Sequence, residues 1–132
     1  MKTLSREQIL LLHAQLINRY GGTHGVRDEA LFDSALNAPF QSFGGYEFYP
    51  TVPDKAIRLG YGLVENHPFH DGNKRIGALV LLTTLDLNNI QFEATNQELE
   101  QTFIDLAAGT VDYEGFRSWV LAHIYLALSS DL

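Results

Sequence analysis

The stretch from Ile76 to Leu85 constrains this chain more than any other. It carries no charged side chain and, wound as a helix, presents apolar groups in every direction. A helix without a polar face is normally enclosed by other elements. Residues 76–85 are therefore expected at the centre of a domain, surrounded by amphipathic helices. The chain is long enough for this. Its 132 residues, 45% of them hydrophobic, suffice for an ordinary core, since a chain of this size buries close to about two-thirds of its unfolded surface. No linker, repeat or low-complexity tract interrupts it, so residues 1–132 are expected to form one domain.

The remaining pattern is helical almost throughout. Ser5-Arg6-Glu7-Gln8 has the form of a capping box, and Ile9, Leu12, Leu16 and Tyr20 follow at helical spacing until Gly21-Gly22 ends the segment. A second helix is expected from Asp28 to Pro39, and a third from Asp54 to Glu65 behind Pro53. Thr95-Asn96-Gln97-Glu98 opens a helix that stops at Gly109, and a last one is expected from about Asp112 to Leu128. Between the second and third, Phe40, Phe43, Tyr46, Phe48 and Tyr49 crowd around Gly44-Gly45, which predicts a hairpin. The expected fold is all-α, a compact domain of about six helices with a short β-hairpin flap.

Composition removes several classes of function. Without cysteine there is no disulfide framework, thiol nucleophile or Cys-based zinc site. A net charge of −7 argues against a long basic surface for nucleic acid or anionic lipid, so any bound anion needs a local cluster of positive groups. Arg6 and Glu7 precede any apolar run, and no stretch approaches the roughly 20 residues of a membrane span. A cytoplasmic protein is the expectation.

Reactive side chains are densest in His67-Pro68-Phe69-His70-Asp71-Gly72-Asn73-Lys74-Arg75, at the entrance to the central helix. The first-turn N–H groups of a helix lack intrahelical acceptors and carry the positive end of its dipole. With Lys74 and Arg75 they make an anion site. Asp71 offers a hard oxygen for magnesium shared with phosphates. An imidazole such as His67 can take a hydroxyl proton near neutrality. Base, metal ligand and phosphate clamp are the parts of a phosphoryl or nucleotidyl transfer site. The same residues are also ordinary turn and cap residues, and chemistry alone leaves both readings open.

His67 to Arg75 resembles the signature loop of the Fic/Doc family, H-P-F-x-[DE]-G-N-G-R-x-x-R, at His67, Pro68, Phe69, Asp71, Gly72, Asn73 and Arg75. Lys74 replaces the pattern's third glycine and Ala78 its second arginine. Both departures are shared with the Doc (death-on-curing) branch, H-x-F-x-[DN]-[AG]-N-K-R. Arg19-Tyr20-Gly21-Gly22, followed by Gly25 and Asp28, is similar to the Doc N-terminal stretch. The resemblance implies His67 as catalytic base, Asp71 as magnesium ligand, and Asn73, Lys74 and Arg75 as phosphate-binding positions helped by the Gly72 amide. Phe69 corresponds to a position that packs inward and fixes the loop. Because Doc proteins lack the second arginine, they transfer the γ-phosphate of ATP where Fic proteins transfer AMP. The resemblance thus implies a toxin of a toxin–antitoxin pair, with an antitoxin partner and elongation factor Tu as target, using ATP and Mg2+.

Other features are weighed against that. The aromatic segment 40–50 lies where the family has a target-pairing flap, although Phe40, Phe43 and Phe48 also suit satellite core. His13, His24 and His123 are expected to be surface or satisfied core residues. Thr110-x-x-x-Glu114-Gly115 fits a short inhibitory-helix pattern of some Fic proteins but reads better as an ordinary helix start. Competing functions are protein adenylylation, a catalytically silent nucleotide sensor, and a metal hydrolase built on His67, His70 and Asp71.

Overall fold

The computed structural model describes residues 1–126. Six helices carry the fold: α1 (Arg6–Tyr20), α2 (Glu29–Asn37), α3 (Val52–Glu65), α4 (Asn73–Leu87), α5 (Asn96–Ala108) and α6 (Tyr113–Ala122). Among the described residues no helix is long and apolar enough to cross a membrane. Both expected capping boxes form, Ser5 with Gln8 and Thr95 with Glu98.

From Ile76 to Leu85 no residue of α4 is exposed, as its uniform apolarity predicts. The helix divides the interior in two. On one side Ile76 and Val80 pack with Ile9, Phe32, Leu63 and Phe69. On the other, Leu81 and Leu85 pack with Ile57, Phe103, Leu106 and Phe116. The closest approach is between α3 and α4. A Cβ on Gly77 would stand 2.8 Å from Val64 Cγ2 and 3.0 Å from the Gly60 carbonyl, and one on Gly60 would meet the Gly77 carbonyl at 3.1 Å. Only hydrogen fits at these positions.

Two expectations need correction. The buried stripe of α1 is Ile9, His13 and Ile17, while Leu12 and Leu16 are half-buried and Tyr20 is exposed. The final helix stops at Ala122 instead of running towards Leu128, and positions 127 and 128 lie outside the described residues. After it, β4 (Ile124–Leu126) pairs antiparallel with β3 (Ile90–Phe92), Gln91 opposite Tyr125. Ile124 continues the apolar spacing of Phe116 and Val120, so periodicity alone extends the helix. The backbone groups of β3 also need partners, however, and β-branched and aromatic residues suit the strand that supplies them.

The segment after α2 makes a 3₁₀ turn, Ala38–Phe40, and then the expected hairpin, β1 (Ser42–Phe43) against β2 (Tyr46–Glu47). Lys55, at the start of α3, ties the hairpin down through Glu47 and the Tyr49 carbonyl. Phe43 and Tyr46 are each 79% exposed and Phe48 is 58% exposed, so these rings are not satellite core.

Gly77→Ala tests the helix contact. Overpacking of this kind costs about 1–3 kcal/mol, so the variant should unfold at lower denaturant with an unchanged m-value. Parental stability would show that the helices separate easily.

Candidate functional site

The helices that touch at Gly60 and Gly77 are joined by a short loop, and the candidate residues of the sequence lie there. α3 ends at Glu65 with Asn66 as C-cap. His67 follows with φ +48°, a left-handed conformation normally left to glycine just past a helix end. For a histidine this costs roughly 1–2 kcal/mol, and such strain persists only where the surroundings hold it. Arg27 does so: its Nε donates to the His67 carbonyl at 2.8 Å and Nη2 to the Asn66 carbonyl at 3.3 Å. The backbone N–H groups of Arg27 and Asp28 both donate to the Pro68 carbonyl. The segment before α2 thus clamps the loop.

Inside the loop, Phe69 is completely buried, tilted against Phe32 and stacked on His13 with ring centroids 3.8 Å apart. Asn73 closes the turn. Its Oδ1 accepts the Phe69 N–H, while Nδ2 donates to the Phe69 carbonyl and to His67 Nδ1 at 3.1 Å. The Phe69 backbone fixes which end of the amide is which, so the His67 contact is donation into Nδ1. The neutral ring then carries its proton on Nε2. Both side-chain protons of Asn73 are used within the loop, which leaves its backbone N–H as the group to meet an anion.

Gly72 begins α4 at φ +80°. Every other helix has a side-chain N-cap, from Ser5, Asp28, Thr51, Thr95 and Asp112, but α4 has none. Among the described residues its first N–H groups have no acceptor, and they lie beside Lys74 and Arg75. Among the described residues neither cation has a carboxylate partner. The Arg75 guanidinium lies over the Tyr20 ring, 4.4 Å from its centroid.

These groups line one end of a cleft of about 920 Å³ with His67, His70 and Asp71. The other arm is apolar, walled by Ala78, Leu79 and Leu82 of α4 and by Leu99, Phe103 and Ile104 of α5. Asn96 and Glu100 are the polar groups on that wall. This arm explains why α4 has no polar face: where no helix covers it, it faces the cleft. Neither the hairpin nor Glu114 lines the cleft.

Asp71 is exposed, and its Oδ2 accepts the Thr23 N–H at 2.6 Å. That bond, with help from His70 and His67, holds its carboxyl below the ordinary range. The stabilisation is complete above the ordinary carboxylate pKa of about 3.9 and fades as pH falls through the lowered value. Asp71 lines the cleft, and among the described residues its Oδ1 has no hydrogen-bond partner. Among the described residues no three His, Asp or Glu side chains gather to hold a metal ion. One carboxylate oxygen beside an anion site fits magnesium that arrives with phosphates, which binds through one or two carboxylates. It does not fit the metal-hydrolase reading.

The sequence-based site residues therefore converge on one cleft. Reasoning from sequence misses those behind them: Arg27, Thr23 and, most of all, His13. His13 is 2% exposed, and its Nε2 bonds the Asp71 carbonyl at 2.7 Å. Burial pushes its pKa down. The signal was the i, i+4, i+8 spacing of Ile9, His13 and Ile17, which puts a polar ring on a buried stripe.

A model of the Fic/Doc family matches residues 3–85, from just before α1 to two residues short of the end of α4. The chain belongs to the Fic/Doc family. That family includes enzymes that transfer nucleotide-derived groups to proteins. The chain is also 39% identical over 75 residues to the toxin Doc of Mycolicibacterium smegmatis, covering 57% of this chain and 58% of that protein. The alignment thus spans less than two-thirds of the relative. The Fic/Doc match takes in the loop and its clamp, whereas the α5 wall of the cleft lies outside it.

Asn73→Ala should strip Phe69 of two buried bonds. A buried unsatisfied group costs about 1–3 kcal/mol, so chemical denaturation should show a loss of at least that size. A negligible loss would mean that water or a rearranged loop replaces the amide.

Proposed function

We propose that this chain is a Doc-type toxin of a toxin–antitoxin pair that transfers the γ-phosphate of ATP to a protein hydroxyl in the cytoplasm. The observation that carries this reading is the division of the cleft. Cations and open N–H groups lie at one end only, and Ala78, where the Fic pattern has its second arginine, is part of the apolar wall. Phosphates then belong at the α4 N-terminus and the nucleoside in the apolar arm. Among the described residues that line the arm there is no second phosphate-gripping cation, which an AMP-transferring site needs.

In this reading Arg75, Lys74 and the N–H groups of Gly72 and Asn73 hold the phosphates. Asp71 holds magnesium, which when bound neutralises phosphate charge. The His67 ring takes the proton from the target hydroxyl, the oxygen attacks the γ-phosphorus, and ADP leaves. For Nε2 to accept that proton, the ring must first exchange the tautomer that Asn73 supports. The exchange turns Nδ1 into a donor facing the Asn73 Nδ2–H, which loses the hydrogen bond and leaves a donor unsatisfied, a cost of about 1–3 kcal/mol. The exposed aromatic edge of the hairpin suits an extended target segment added as a strand. Elongation factor Tu is the proposed target. An antitoxin is the proposed source of inhibition, since Glu114 stands outside the cleft.

The test uses ATP labelled at the α or the γ position, with magnesium and a translation extract. Label from the γ position alone should reach a protein the size of an elongation factor, and His67→Ala should abolish it, because general-base assistance is worth about 10²- to 10⁴-fold. Transfer of the α label would establish adenylylation instead. No transfer from an intact fold that still binds nucleotide would favour the sensor.

Arg75 tests the clamp separately. A charge-assisted bond contributes about 1.5–3 kcal/mol, so Arg75→Ala should weaken magnesium–nucleotide binding roughly ten- to a hundred-fold. Arg75→Lys should recover only part, lacking the planar fork that makes two parallel bonds and stacks on Tyr20. Parental affinity in the alanine variant would reduce the loop to a helix cap.

A further inference from the structure

The polar ring buried beneath the loop has a geometry that reaches the anion site through the backbone. His13 sits on the buried stripe of α1 between Ile9 and Ile17, and its ring lies 12° from parallel with the Phe69 ring. Packing alone does not call for histidine here. An apolar side chain would fill the space, and a buried polar ring costs free energy unless it is hydrogen-bonded. The bond it makes is to the Asp71 carbonyl, at 2.7 Å. A carbonyl can only accept, so Nε2 must carry the proton.

The consequence follows from peptide planarity. The C=O of Asp71 and the N–H of Gly72 belong to one rigid trans unit and point in opposite directions. With the carbonyl drawn inward onto His13, the Gly72 N–H is turned outward. Gly72 lines the cleft, and among the described residues its N–H has no acceptor. His13 also underlies the glycine itself, since a Cβ there would stand 3.5 Å from Nε2. Gly72 is left-handed and so unusually free to rotate this peptide. An external anchor is what would hold it.

We infer that His13 is a positioning residue: by donating from Nε2 to the Asp71 carbonyl it locks the Asp71–Gly72 peptide with its N–H aimed at the nucleotide phosphates. The inference rests on the phosphate site proposed above. It assigns a buried residue of α1, which never touches the nucleotide, to the geometry of that site.

Two substitutions separate the hydrogen bond from the packing. Phenylalanine keeps a ring against Phe69 and loses the donor. Glutamine loses the stack and places an amide N–H at about the reach of Nε2. Calorimetric titration with magnesium–ADP should show His13→Phe binding about ten-fold more weakly than the parent, as for the loss of one well-aimed bond to a charged group. His13→Gln should recover most of that loss. Transfer assays with ATP should show the Phe defect mainly in KM. In the unsubstituted protein, the Gly72 amide should exchange rapidly without ligand, and its resonance should shift strongly on adding magnesium–ADP. This measurement does not depend on either variant folding. Equal affinity in parent and Phe variant, or a Gln variant as weak as Phe, would overturn the inference and leave His13 a packing residue. So would a Gly72 amide indifferent to bound nucleotide. A parent that binds no magnesium–ADP would overturn the phosphate site along with it, which distinguishes the two failures.

Discussion

Gly60 of α3 and Gly77 of α4 bring two helical backbones so close that a Cβ on either would strike the other's carbonyl. The loop that carries the proposed site depends on this approach. Because the helices touch near the end of α3 and the start of α4, the residues between them must reverse direction at once. His67 in a left-handed conformation and Gly72 in another achieve the reversal, and Phe69, buried without exposure, pins the turn to the core. The cost of a left-handed histidine is offset by clamps from Arg27 and Asn73. Strain maintained by several independent bonds is what a positioned reactive side chain requires.

The electrostatics follow from the same placement. A protein with a net charge of −7 repels nucleotides at long range. At the proposed phosphate site the attraction is local: an uncapped helix start, two cations that have no carboxylate partner among the described residues, and a cleft whose other arm is apolar. An apolar wall strengthens the field that a bound phosphate feels, since the effective dielectric falls where water is excluded. Capping α4 with Ser or Asp in place of Gly72, as in the other helices, would put a side-chain oxygen where the proposed site holds phosphate.

Much of this was legible in the sequence because local rules dominate there. Uniform apolarity placed α4 at the centre, capping boxes set the starts of α1 and α5, and Gly44-Gly45 set the hairpin turn. The loop motif was legible because its residues are contiguous. What stayed hidden was non-local. The fate of Ile124-Tyr125-Leu126 is decided by the open edge of β3, more than thirty residues earlier. The apolar spacing that continued α6 through Ile124 carries no information about that edge. The exposure of Phe43 and Tyr46 was equally beyond a composition argument, since aromatic residues serve core and docking surfaces alike.

The same non-locality separates the groups proposed to do chemistry from those that hold them. His67, Asp71, Gly72, Lys74 and Arg75 lie within nine residues of chain, yet their supports come from far away. His13 reaches Asp71 across a separation of 58 residues, Thr23 across 48, and Arg27 reaches His67 across 40. None of these bonds forms until α1 and the segment after it dock on α3 and α4. Non-local contacts form at the expense of loop-closure entropy and so come late or with the whole core. A partly folded chain would then carry the motif without the geometry: Asp71 unoriented, the Gly72 peptide free to turn, His67 relaxed from its left-handed state. The proposed site is a property of the assembled fold, and its sequence signature marks where that assembly brings these side chains together.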